Sequence, residues 1–265
     1  MGERAVAEIK APELLVVLRK MESRGALETA HRVRSICSQV FRYAIATGRA
    51  DRDPATDLKG ALPPYSQGHH SAIIEPKKVG HLLNAIDAYN GTIVVKCALQ
   101  LSPFVFLRPG ELRYAEWKEF DLESALWDIP AERMKRRVAH LVPLSRQVIG
   151  IIKELHAFTG RGRFLFPGTR SASRPMSENT VNAALRYMGF DKETMTGHGF
   201  RAMARTMIRQ NLHIIPEYIE LQLSHVTKSQ NGTAYDRVSF LPERREMMQV
   251  WADYLDQLKE KKIEE

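Results

Sequence analysis

Apolar residues recur at helical spacing along most of this chain. Val33, Ile36, Cys37, Val40, Phe41, Ala44 and Ile45 fall on one face of a long helix, and Arg32, Ser35, Gln39 and Arg42 fall on the other. Gly48 marks the end of that helix, since glycine adopts the left-handed conformation that closes a helix at no steric cost. A shorter helix, Pro12 to Met21, precedes it. After Asp53-Pro54 the periodicity lapses and turn formers accumulate: Gly60, Pro63, Pro64, Ser66, Gly68 and the pair His69-His70. This stretch reads as an interdomain linker at 63–75. Beyond it, Pro76 to Ala88 and Gly91 to Leu101 are helical, and Pro109 opens a third segment, proline being favoured in a first helical turn. Leu126 to Pro130 and Val138 to Pro143 are short apolar runs separated by a basic, polar turn, the pattern of a hairpin. Helices resume at about 145–158, 177–188, 198–210, 216–222 and 242–260. The last carries Val250, Trp251, Tyr254, Leu255 and Leu258 as a stripe that must be covered, either by its own domain or by a neighbouring copy of the chain.

The fold class expected is mainly α with a small antiparallel β-sheet (α+β), divided into a helical unit at 1–62 and a larger unit at 76–265. A length of 265 residues with 44% apolar and 26% charged residues suits two cores of unequal size. The net charge of +8 is moderate, and the basic excess is shared: 11 Lys and Arg against 8 Asp and Glu lie in residues 1–62. Nucleic acid is compatible with that balance, and contact would depend on where the charges lie. The sequence holds only two cysteines, Cys37 and Cys97, each inside an apolar helical pattern, which excludes a disulfide framework or a Cys-rich zinc site. No apolar run approaches the length of a membrane span and no secretory pattern opens the chain, so a cytoplasmic protein is expected.

Four segments carry candidate chemistry. Leu107-Arg108-Pro109-Gly110-Glu111-Leu112 sets an arginine at the mouth of a helix; such a residue often only caps or snorkels. The hairpin turn holds Arg133, Lys135, Arg136 and Arg137, by default a solvated basic loop. Gly197-His198-Gly199-Phe200-Arg201 places His198 and Arg201 three apart at a helix start, where both can face one spot. Leu223-Ser224-His225 is followed ten residues later by Tyr235, in Thr233-Ala234-Tyr235-Asp236-Arg237. Each alone is weak.

Together and in this order, the four segments resemble the catalytic domain of the tyrosine recombinases, the phage integrase family. The resemblance covers the chain from Ala11 to about Leu258. Ala131-Glu132-Arg133-Met134-Lys135 followed by Leu141-Val142-Pro143-Leu144-Ser145 is most similar to integrases of P4-like prophages and genomic islands. It implies Arg108, Lys135, His198, Arg201, His225 and Tyr235 as catalytic residues, with Glu111 in support. It further implies that the first unit is a partial core-binding domain, with Arg32, Arg42, Arg133, Arg136 and Arg137 as DNA contacts. Full-length relatives carry an additional N-terminal arm-binding domain, so the chain is expected to be a fragment or a truncated product.

Physical reasons for these residue types stand beside the resemblance. Attack on a phosphodiester builds charge on two non-bridging oxygens, which two forked guanidiniums, Arg108 and Arg201, can hold. A phenol of pKa about 10 needs a base or a cationic site before it attacks. His198 is the candidate base, Lys135 the proton donor to the departing 5′ oxygen, and His225 a hydrogen-bond partner of the phosphate. The implied product is a 3′-phosphotyrosyl bond, made without metal or other cofactor; the sequence has no Walker-type loop or carboxylate pair with metal-ligand spacing. The implied partners are double-stranded DNA at attachment-site cores, three further copies of the chain on that DNA with a monomer in solution, and accessory DNA-bending or excision factors. Two alternatives stay open, a non-catalytic DNA-binding remnant and a type IB topoisomerase-like enzyme.

Overall fold

A computed structural model describes residues 4–65, 71–225 and 240–260. The chain forms two compact units, Met1–His69 and His70–Glu265. In the first, α1 (Ala11–Glu22) packs on α2 (Leu27–Ala46), with Leu14 and Leu18 meeting Ala30, Phe41 and the turns at Ala55, Leu58 and Leu62. Proline in the first turn starts α1. Gly48, at φ +69, follows the end of α2. The α2 pattern is narrower than its apolar periodicity suggests. Phe41 and Ala44 are buried and Val33 and Cys37 half-buried, but Ile36, Val40 and Ile45 are exposed, Val40 by 55%. Helix α1 and the turns at Ala55, Leu58 and Leu62 cover one side of the apolar arc, and Ile36, Val40 and Ile45 lie outside it.

The second unit is built around α4 (Ile93–Val105), whose Cys97, Ala98, Leu99, Leu101, Phe104 and Val105 are all buried. Against it lie α3 (Pro76–Asp87), α6 (Arg146–Thr159), α7 (Thr180–Tyr187), α8 (Gly199–Asn211) and α10 (Leu241–Glu260). The short α5 (Pro109–Arg113) follows α4, and α9 (Pro216–Gln222) packs on α8 and α10. A three-stranded antiparallel sheet runs in the order β1 (Phe120–Asp121), β2 (Leu126–Ile129), β3 (His140–Pro143), with Trp127 opposite both Phe120 and Val142. The sequence pattern anticipates β2 and β3. The two-residue β1 is too short to show periodicity.

Helix α10 closes the unit. Trp251 and Leu255 are fully buried, Leu258 nearly so, and the Trp251 indole N–H donates to the Pro103 carbonyl at 2.9 Å. The C-terminal stripe is thus covered by its own unit, apart from Val250, which stays 40% exposed. Close approach is built in: a Cβ on Gly80 of α3 would lie 2.3 Å from the Leu258 carbonyl oxygen. At the start of α8, a Cβ on Gly199 would lie 2.3 Å from the Ser71 carbonyl oxygen, so only glycine fits beside His198.

Candidate active site

Two left-handed turns and one buried arginine assemble the site. Helix α4 ends at Phe106, in the left-handed region at φ +36, and the chain then turns into Leu107-Arg108. Helix α9 ends in a similar turn with Ser224 at φ +52: the Ser224 N–H bonds the Leu221 carbonyl and the His225 N–H the Glu220 carbonyl, both at 2.9 Å. This crossed pair of bonds is a Schellman closure, here without the usual glycine. Arg201, in the first turn of α8 and 5% exposed, reaches both helix ends. It donates to the Phe106 carbonyl at 2.9 Å, to the Leu223 carbonyl at 2.7 Å, and faces His225 Nε2 at 3.2 Å.

A guanidinium only donates, so His225 Nε2 accepts and the ring hydrogen sits on Nδ1. That hydrogen is given to Glu220 Oε2 at 2.6 Å. Glu220 also accepts from Arg205 Nε at 2.5 Å. Burial pushes the Glu220 carboxyl up, but the bonds from His225 and Arg205 outweigh it and hold the group below its ordinary range. Burial, aided by the nearby charge of Arg108, pushes Arg201 down to about 10, so it remains a cation at neutral pH. Arg108 is held by Glu111: its NH1 donates to Oε1 at 2.7 Å and its backbone N–H to Oε2 at 2.9 Å, with Glu111 itself buried.

The hairpin turn divides its basic residues. Lys135, Arg136 and Arg137 are exposed, above a buried Met134. Arg133, which the resemblance implies as a DNA contact, instead turns its guanidinium into the fold. It pairs with Glu119 and donates to the Glu111 carbonyl at 2.5 Å, leaving its side chain 13% exposed. Arg133 therefore anchors the hairpin base beside α5. Arg32 and Arg42 are exposed on α2 of the first unit. His198 is the half-buried N-cap residue of α8, its carbonyl accepting from the Arg201 N–H at 3.1 Å. Tyr235 and the pair His69-His70 lie outside the described residues.

Arg108, Arg201 and His225 are thus gathered where α4, α8 and α9 end or begin, with Glu111 and Glu220 as their carboxylate partners. Glu220 escapes a reading of the sequence, because a lone acid five residues before a histidine has no helical register with it. Only the left-handed Ser224 folds His225 back over that carboxylate. Replacing Glu220 by glutamine removes the charge that favours the Nδ1–H tautomer. The DNA cleavage that the resemblance implies should then fall by about 10- to 100-fold, the range seen when carboxylates that orient metal-bound histidines are removed, with DNA affinity unchanged. A cleavage time course beside a binding titration measures this.

Comparison with known proteins places these observations. Residues 72–239 match the model of the phage integrase family, and residues 1–61 match the phage integrase central domain. The chain is 38% identical over 277 residues to the putative protein IntB of Escherichia coli (strain K12), covering 99% of this chain and 70% of that one. It is also 38% identical over 277 residues to the integrase of Enterobacteria phage P4, where it spans 99% of its own length and 63% of the relative's. Among solved structures, a lambda integrase (75–356) dimer bound to a COC′ core site superposes with a TM-score of 0.65 at 18% identity, over 87% of this chain and 84% of that one. The Tn1549 transposon integrase (aa 82–397) in complex with circular intermediate DNA gives 0.63 at 14% identity, over 89% and 86%. These structural likenesses concern the fold.

Proposed function

Since the chain belongs to the phage integrase family of tyrosine recombinases, we propose that it is a site-specific recombinase that cleaves and rejoins DNA through a 3′-phosphotyrosyl bond to Tyr235. The observation that carries this reading is the convergence of Arg108, Arg201 and His225 on one spot, with Arg201 fixed by two backbone carbonyls.

In the proposed reaction Arg108 and Arg201 hold the two non-bridging oxygens of the scissile phosphate, where negative charge grows as the phenolate attacks. Preorganisation favours this assignment, since a guanidinium already held by the fold need not reorganise when the charge appears. His225 hydrogen-bonds the phosphate by donating from Nε2 in its imidazolium form, since a phosphate oxygen only accepts, while Nδ1–H stays bonded to Glu220. His198 takes the Tyr235 proton, and Lys135 at the exposed hairpin tip gives one to the departing 5′ oxygen. The phosphotyrosyl bond keeps the energy of the broken diester, so a 5′ hydroxyl from another strand can reverse the attack and complete exchange. Arg136 and Arg137 on the hairpin, and Arg32 and Arg42 in the first unit, provide backbone contacts that position the duplex without reading its bases. Lambda integrase has been solved as a tetramer on a Holliday junction; by likeness of fold, the present chain acts as four copies on paired attachment cores, integrating or excising a prophage or genomic island.

The test is a duplex carrying the junction sequence of the element's own insertion point, nicked beside the cleavage position so that religation fails. A covalent protein–DNA product that survives denaturation is expected. Retention of the duplex without a covalent product would reduce the protein to a DNA-binding module.

A further inference from the structure

Behind the site lies a second buried arginine that the chemistry above does not use. Arg244, in the first turns of α10, is 2% exposed and has no carboxylate partner among the described residues. Its Nε and NH2 both donate to Gln222 Oε1, at 3.1 and 2.6 Å, and NH2 also donates to the Leu141 carbonyl of β3 at 2.6 Å. Gln222 is fully buried at the end of α9, and its backbone carbonyl accepts from His140 Nε2 of β3 at 3.0 Å. A carbonyl only accepts, so Nε2 of His140 carries the hydrogen.

We propose that Arg244 and Gln222 form a positioning clasp that sets the last turn of α9, and with it the Leu223 carbonyl and His225, against the strand that follows the Lys135 hairpin. The inference rests on the recombinase reading above and adds to it residues that touch no substrate.

Three features support the assignment. Gln222 immediately precedes Leu223, whose carbonyl receives Arg201, so a shift at Gln222 moves both that anchor and His225. The bonds from Arg244 fix the Gln222 amide with its oxygen toward α10, and a single guanidinium thereby ties three elements, α9, α10 and β3, that are remote in sequence. In sequence the clasp also brackets residues 226–239, which include Tyr235, between its two members. A buried cation is a costly way to hold a core together, since apolar residues of similar volume are often as stabilising. Arg244 is pushed down to about 10 by its burial and stays charged, so what it contributes is direction and register.

That argument supplies the experiment. The Arg244→Met/Gln222→Met double variant removes both side chains at similar volume and is expected to fold, because, of the partners that Arg244 bonds, only the Leu141 carbonyl is left without this donor. On the nicked core duplex at saturating protein, its single-turnover cleavage rate should fall at least about tenfold with half-saturation unchanged, as expected when reacting groups are slightly misplaced. Gln222→Glu keeps the acceptor for Arg244 and should cleave within about threefold of the wild type. Wild-type cleavage by the folded double variant, or an equal loss in Gln222→Glu, would overturn the clasp. If the double variant does not fold, Arg244→Lys decides: it keeps the charge without the fork, and a wild-type rate from it would equally refute the proposal. Absence of covalent product from the wild-type chain would instead defeat the recombinase reading. The clasp then stands or falls on hydrogen exchange at Leu223, Ser224 and His225, which must quicken in the double variant relative to α8.

Discussion

Replacing Tyr235 by phenylalanine is expected to abolish the covalent protein–DNA complex while leaving DNA binding intact. The substitution removes one oxygen atom and keeps the ring. Without the phenolic oxygen no phosphotyrosyl bond can form, so the product should vanish rather than decline. Other tyrosines provide the controls. Tyr187 is 78% exposed on α7, Tyr218 packs against Phe240 with ring centroids 5.1 Å apart, and Tyr254 lies 6.0 Å from the Trp251 ring. Their phenylalanine variants should all form the complex at wild-type yield. A denaturing gel of labelled nicked duplex reads every variant, and residual adduct in Tyr235→Phe would move the nucleophile elsewhere.

The second large effect is expected at the two arginines. Arg108→Ala should lower cleavage on the order of hundredfold, the cost of deleting one donor aimed at developing charge. Arg201→Ala should lower it at least as far and also weaken the fold, because the Phe106 and Leu223 carbonyls lose their donor. Each buried carbonyl left without a partner costs about 1–3 kcal/mol. Arg108→Ala likewise leaves the buried Glu111 carboxylate without its cation, so denaturant melts run beside the cleavage assays should show a stability loss in both variants together with the catalytic defect. Near-normal cleavage by both variants would refute their assignment.

How much of this was legible in the sequence follows from the range of each interaction. Helices α3, α4, α6 and α8 to α10 declare themselves because a buried stripe at 3.6-residue spacing is a local signal. The exposure of Ile36 and Val40 was not legible, since periodicity gives the direction of an apolar face and not the width of what covers it. Arg133 sits in a basic run and looked solvated; only the fold brings Glu119 beneath it. Arg108, His198, Arg201 and His225 could be picked out as residues. The fixed tautomer of His225 could not, because it depends on a left-handed serine where the sequence offers no glycine. Gln222 and Arg244 gave no signal at all: neither residue type is chemically suggestive alone, and they meet through the packing of α9 on α10.

The two buried guanidiniums, Arg201 and Arg244, set a limit on how such a protein can change. Both are held in low-dielectric surroundings with no carboxylate bonded to them among the described residues. Each also satisfies a backbone carbonyl that no substitution can remove, so an apolar replacement trades the cost of the cation for that of a stranded acceptor. An integrated element that no longer needs to move therefore gains little stability by losing them, and in a decaying prophage these two positions should persist with the surrounding core.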